Sequence, residues 1–255
     1  MALHIEKYGT KGKQALTLIH GWGMHSGVWQ PILNQLTPYY QLHCIDLPGM
    51  GFSDTILPYS LANLSSEIRT FLPENTHLLG WSLGGQVAMQ IAIDAPNIIS
   101  KLVLVGATPK FTLSVDWASG VTLQSLEKFA RDIDEDYMAT MLNFLSLQCM
   151  GAENRKDTIR ILREAFLAKP VPNSDCLKQA LVILETTDLR LQLKNIQSPT
   201  LILHGERDGL SPIKAGDFLA RTIRLSQFKV FAKASHAPFL SHPLEFSNSL
   251  NEFLL

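Results

Sequence analysis

Short apolar runs that close on Gly, Asp or His recur along the chain: ALTLIH (15–20), YQLHCID (40–46), THLLG (76–80), KLVLVG (101–106), PTLILHG (199–205) and FKVFA (228–232). Runs this short, rich in Leu, Val and Ile and without clean alternation, predict strands buried on both faces. Helical spacing lies between them, over 60–72 and over 84–95, the latter stopping before Pro96. Strand alternating with helix implies a mostly parallel sheet with helices on both faces. The alternation breaks after Gly106. From about Phe111 to Leu193 only helical patterns occur, near 123–132, 135–150, 156–168 and 174–186. Asp134, Glu135 and Asp136 sit where a helix N-terminus favours negative charge. A helical block between two strands of one sheet reads as an inserted lid. The expected division is a core of residues 1–110 and 194–255 carrying a lid of residues 111–193. No internal repeat or low-complexity tract interrupts this plan.

Composition narrows the class without changing the picture. A chain of 255 residues, 46% of them hydrophobic, is long and apolar enough for one large domain with a real core. A formal net charge of −1 gives no reason to expect nucleic acid or a membrane surface as partner. The opening residues lack a charged segment followed by an apolar one, and no apolar run reaches membrane-spanning length, so a soluble cytoplasmic monomer is expected. Cys44, Cys149 and Cys176 are far apart and odd in number, which fits reduced, packed thiols.

The stretch LLGWSLGGQVAMQIA (78–92) carries the first chemical signal. If THLLG is a strand and GGQVAMQIA opens a helix, the chain must reverse at Ser82 within about two residues. So tight a turn crowds neighbouring Cβ atoms, which explains glycine at 80 and 84. It also pushes the serine hydroxyl into open space at the carboxyl edge of the sheet, beside a helix N-terminus with free N–H groups. That is a nucleophile elbow.

A serine hydroxyl needs a base. The elbow's chain order predicts an acid and then a histidine, each in a loop after a late strand. Asp208 follows LILHG in a D-G turn, and His236 follows FKVFA in FAKASHAPFLSHP. The other histidines fit less well. His242 precedes a proline, His204 lies inside a strand run, and His4, His25, His43 and His77 occupy no matching position. For the acid, Glu206 and Asp188 are the alternatives. The two oxyanion N–H donors are expected from Leu83, which follows the nucleophile, and from Trp22 in the glycine-bearing loop HGWG (20–23). His20 reads as a brace for that loop.

HGWG, DLPGMGFSD (46–54), GWSLGG (80–85), GERDG (205–209) and KASHAPFLSHP (233–243) together resemble the α/β-hydrolase superfamily along nearly the whole chain. The resemblance implies the α/β-hydrolase fold, a serine carboxylesterase chemistry, a triad of Ser82, Asp208 and His236, and no cofactor or metal. Trp22, Trp81 and FLSLQCMGAE (144–153) narrow it to the esterases that cleave the methyl ester of pimeloyl-acyl carrier protein in biotin biosynthesis. That likeness implies a substrate site lined by Trp22, Trp81, Ser82, Leu83, Phe144, Leu145, Ser146, Leu147, Gln148 and His236.

It also implies acyl carrier protein as partner. Lys156, Arg160 and Arg163 share one face of an expected helix, with Ile159, Leu162 and Phe166 as the neighbouring apolar stripe. This basic face is either simply solvated or a dock for the acidic carrier, with Arg155 as an accessory. The match is incomplete, because a position basic in the relatives is Asn143 here. Three rival readings share these residues: a broad-specificity carboxylesterase acting on small-molecule esters, a carbon–carbon bond hydrolase, and a ligand-binding protein on an inactive hydrolase fold.

Overall fold

The computed structural model describes residues 2–255. Seven strands form one sheet: β1 (Ile5–Tyr8), β2 (Gln14–Ile19), β3 (Tyr40–Ile45), β4 (Thr76–Trp81), β5 (Ile99–Val105), β6 (Thr200–Gly205) and β7 (Ser226–Phe231). Their order is β1-β3-β2-β4-β5-β6-β7, with β1 antiparallel to β3 and all other pairs parallel. Every residue of β4 and of β6 is buried. That is why these strands read as continuous apolar runs. The six predicted runs are all strands, but β7, at one edge of the sheet, is half-exposed and not buried on both faces as expected, because it has a neighbouring strand on one side only. The seventh, β1, is the half-exposed edge segment IEKY, too short and too charged to stand out.

Among the described residues the α-helices are α1 (Gln30–Leu36), α2 (Leu61–Thr70), α3 (Leu83–Asp94), α4 (Leu123–Glu135), α5 (Tyr137–Gln148), α6 (Arg155–Leu167), α7 (Ser174–Thr186), α8 (Ile213–Thr222), α9 (Pro238–Ser241) and α10 (Pro243–Leu254). α1 packs with α9 and α10, α2 packs on α3, and α8 lies on β6 and β7. Helix α3 is buried almost all round, since it runs beneath β4 and β5 with Leu83, Val87, Ala88, Met89 and Ile91 in the core.

Helices α4 to α7 all lie between β5 and β6 in the chain and pack on one another, α4 against α5 and α7, and α5 against α6. Local sequence punctuates this insert. The Thr122 side chain caps α4 by accepting from Ser125 N, and Asp136 caps α5 by accepting from Ala139 N. Of the acidic trio, only Asp136 is at a helix N-terminus. Asp134 and Glu135 close the last turn of α4, where Asp134 pairs with Lys178 of α7 at 2.9 Å.

The end of α6 is pinned to the core by a buried ion cluster. The Lys169 ammonium lies 2.7 Å from Glu6 and 3.0 Å from Asp46, and donates to Ser26 Oγ at 2.6 Å. Asp46 is fully buried and also accepts from the Ser26 and Phe52 N–H groups. Burial alone would raise its carboxyl, but His20, these N–H groups and Lys169 hold it below the usual carboxylate range. Removing the cation leaves a buried carboxylate uncompensated. Lys169→Met should therefore lower the unfolding free energy by roughly 3 kcal/mol in urea titration, and a loss below about 1 kcal/mol would show the cluster to be a surface-like pair.

Candidate active site

Between β4 and α3 the chain turns on one residue. Ser82 has φ 56° and ψ −117°, a conformation that costs a non-glycine residue about 1–3 kcal/mol. The turn is locked by Ser82 N donating to Val105 O at 3.0 Å and by the Gly85 and Gln86 N–H groups converging on Ser82 O. A Cβ on Gly80 would collide with the carbonyl of Gly84, and one on Gly84 with the carbonyls of Ile19 and His20. The flanking glycines are thus a steric requirement of the turn. Ser82 remains partly accessible, whereas Trp81 and Leu83 on either side are buried.

Asp208 and His236 meet after β6 and β7. His236 Nδ1 and Asp208 Oδ2 are 2.8 Å apart, and both side chains are buried. Asp208 Oδ1 accepts from the N–H groups of Leu210 and Ser211, each at 2.9 Å. Burial would raise this carboxyl. The opposing charge and hydrogen bond of His236, with His204 and the Ser211 N–H, outweigh burial and hold it below the usual range. It is an ionised acceptor that fixes the imidazole through Nδ1.

The loop carrying His236 is tied to the elbow. Trp81 Nε1 donates to the carbonyl of His236 at 2.9 Å, and the two rings lie 5.6 Å apart. Gly106, next to the carbonyl that holds Ser82, leaves room for the pair. A Cβ there would come 3.2 Å from His236 Nδ1 and 3.3 Å from Asp208 Oδ2. Among the described residues the Ser82 hydroxyl and His236 do not hydrogen-bond, a link that commonly tightens only with substrate bound.

The alternatives are committed elsewhere. Glu206 accepts from Lys233 N, Asp188 binds Arg190 and Lys110, and His242 bonds Ser241. His204 donates to Ser211 O at 2.6 Å, bracing the turn that bears Asp208. His20 holds the neighbouring loop, with Nδ1 donating to Gly21 O at 2.8 Å and Nε2 accepting from Leu47 N at 2.9 Å. Those partners require the neutral ring, and burial lowers its pKa to about 4. Gly21 brings this loop against the elbow, a Cβ there lying 3.1 Å from Ser82 Cβ. Among the described residues, neither the Trp22 N–H nor the Leu83 N–H is spent on a protein hydrogen bond.

Ser82 opens into an apolar cavity of about 600 Å³, its mouth included, lined also by Trp22, Phe111, Val121, Ser125, Leu126, Phe129, Phe144, Leu147, Leu181, Leu184 and Leu210. No charged side chain lines it. Of the residues expected to line a substrate site, Trp22, Ser82, Phe144 and Leu147 line this cavity. Trp81, Leu145, Ser146 and Gln148 do not. Trp81 is packed under His236. Leu145 and Gln148 lie on the buried side of α5, and Ser146 donates to Leu142 O on its own helix. Residues 144 and 147 are three apart and share the face toward the cavity. Leu83 and His236 are buried and do not line the cavity itself. Leu126 and Phe129 of α4 and Leu181 and Leu184 of α7 complete the wall, and the resemblance implies none of them.

Lys156, Arg160 and Arg163 are exposed on α6, with Leu162 and Phe166 buried behind them. Arg160 is paired with Glu164 at 2.9 Å, and Arg163 donates to Ser146 Oγ at 3.3 Å. Cys44, Cys149 and Cys176 are buried and unbridged. Among the described residues no cluster of three His, Cys, Asp or Glu side chains is arranged to hold a metal, and no helix is long and apolar enough to cross a membrane.

Comparison with known proteins places this geometry in context. Residues 14–243 match the family model described as the alpha/beta hydrolase fold. The chain is 41% identical over 239 residues to a pimeloyl-[acyl-carrier protein] methyl ester esterase of Photobacterium profundum, covering 94% of each chain. It is 39% identical to the enzyme of the same name from Aliivibrio salmonicida, covering 94% of this chain and 91% of that one. Among solved structures it superposes on an esterase from Exiguobacterium antarcticum with TM-score 0.90 and 25% identity, over 99% of this chain and 95% of the other.

The buried histidines set a pH dependence of stability. His20 and His77 have folded pKa values of about 4, against about 6.5 in an unfolded chain. The unfolded chain therefore takes up protons that the folded one refuses, and stability present above 6.5 is lost as pH falls toward 4. Urea midpoints should decline through that window, and a flat profile would contradict neutral burial of these rings.

Proposed function

Because the chain belongs to the α/β-hydrolase family and, within it, to the pimeloyl-[acyl-carrier protein] methyl ester esterases, we propose that it hydrolyses the methyl ester of pimeloyl-acyl carrier protein to methanol and pimeloyl-acyl carrier protein, in biotin biosynthesis and in the cytoplasm. The observation that carries the reaction class is Ser82 at a left-handed elbow, facing an apolar cavity beside an Asp208–His236 pair.

In this reading His236 takes the Ser82 proton as the hydroxyl attacks the ester carbonyl. The N–H groups of Trp22 and Leu83 receive the tetrahedral oxyanion, and His236 then protonates the departing methoxide. Water activated by the same imidazole hydrolyses the acyl-enzyme. Asp208 orients the ring and stabilises its charged form. The insert, residues 111–193, acts as the lid over the acyl chain.

The uncharged lining suits an ester end better than a free acid. An ionised carboxylate brought in without a partner would lose its hydration uncompensated, so the product end has reason to leave. The exposed basic face of α6 is read as the dock for the acidic carrier. Lys156 and Arg163 present charge more freely than Arg160, which Glu164 partly neutralises.

Two experiments test these roles. Ser82→Ala should keep the folded far-ultraviolet spectrum and lose at least about 10⁴-fold in turnover of methyl pimeloyl-acyl carrier protein, whereas substantial residual turnover in pure protein would remove Ser82 as nucleophile. Reversing Arg160 and Arg163 together to Glu should lower kcat/KM for the carrier-bound ester while sparing a small soluble ester. Equal losses on both substrates would reject docking on this face.

A further inference from the structure

The loop from His20 to Met24 is held differently at its two ends. On the core side, His20 ties Gly21 to the chain after β3 through its bonds to Gly21 O and Leu47 N. Beyond Gly21, the loop is gripped by the insert. The Trp22 indole N–H donates to Leu177 O of α7 at 3.0 Å. Its ring stands edge-on to Phe129 of α4 at 5.3 Å and to Phe144 of α5 at 5.1 Å, and those two rings meet at 5.3 Å. Gly23 has φ +70°, and a Cβ there would come within 2.8 Å of Met141 on α5. Three helices of the insert thus converge on two consecutive residues of the loop.

We infer that the Trp22 side chain is a positioning residue that makes the oxyanion hole depend on the seating of the lid. The inference rests on the reading above, in which the Trp22 and Leu83 N–H groups receive the oxyanion. A side chain fixed at its far end by a hydrogen bond and two ring contacts has one rotamer available, and that rotamer fixes the Cα and peptide from which it springs. Moving α4, α5 and α7 together would carry the indole with them. The Trp22 N–H would then leave its aim while Leu83, rooted in α3 beneath the sheet, stays in place. The hole is therefore complete only while the insert is seated against the loop, so hydrolysis depends on that seating.

The test uses Trp22→Phe, which keeps a ring between Phe129 and Phe144 but deletes the bond to Leu177, and Phe129→Leu, which loosens the grip without touching the loop. Each is assayed with p-nitrophenyl acetate, an ester too short to need the cavity's far wall, and titrated with methylboronic acid, whose serine adduct places an oxygen in the hole. Urea midpoints confirm folding, and Phe129→Leu carries the test if Trp22→Phe does not fold. The expected result is a roughly 10- to 100-fold fall in kcat, KM within about twofold, and boronate affinity weakened by the same factor as kcat. A rise in KM with kcat and boronate affinity intact would make Trp22 merely a wall of the cavity and overturn the inference. So would a fall in kcat without loss of boronate affinity. Wild-type protein that neither hydrolyses the ester nor binds the boronate would instead overturn the esterase reading beneath it.

Discussion

The left-handed backbone at Ser82 is the constraint on which the rest of the structure turns. An unfavourable φ of 56° on a residue with a side chain persists only where its surroundings leave no alternative. Here the surroundings are the fully buried β4, the apolar helix α3, and carbonyls of β2 and α3 so close that only glycine fits at 80 and 84. The parallel sheet is thus more than a scaffold. Its close packing compels a serine out of the core and into an apolar cavity, with a helix N-terminus behind it.

Asp208 and His236 come from the same sheet edge as that serine, yet each is held by a separate device. Asp208 is saturated by two N–H groups and one imidazole, which keeps it ionised despite burial. His236 is anchored at both ends of its peptide, through its N–H to Gln148 of the insert and its carbonyl to Trp81. Trp81 therefore serves the site from below, as a strut between elbow and histidine loop. The insert contributes in three places: the cavity wall, the Gln148 carbonyl and the grip on Trp22. Its attachment through Lys169 to two core carboxylates sets where those contacts fall.

Much of this was legible in the residues. The five inner strands announced themselves because a parallel sheet covered on both faces needs uninterrupted apolar runs, and β7 was legible from the same apolar character although it is a half-buried edge strand. The elbow was legible because only a tight strand-to-helix reversal explains glycines two residues to each side of one serine. The edge strand β1 was not, since four half-exposed residues with a Glu and a Lys carry no burial signal. The cavity wall was legible only in part. Helix α5, YMATMLNFLSLQ, is apolar around most of its circumference, so periodicity could not say which side meets the cavity and which the core. The resemblance implies residues 144–148 as one contiguous segment, whereas the helix turns Phe144 and Leu147 to the cavity and Leu145 and Gln148 to the core; Leu181 and Leu184 of α7 lie outside that segment. The Lys169 cluster was invisible for a different reason: its members lie at positions 6, 46 and 169, and only the folded chain brings them together.

The most direct measurement of the central claim is covalent. A fluorophosphonate should label the intact protein once, with peptide mapping placing the adduct on Ser82, and His236→Ala should slow labelling by orders of magnitude without unfolding the chain. An adduct on another residue, or labelling of Ser82 at the same rate without the imidazole, would mean that the strained turn and the buried acid–base pair do not act on one another.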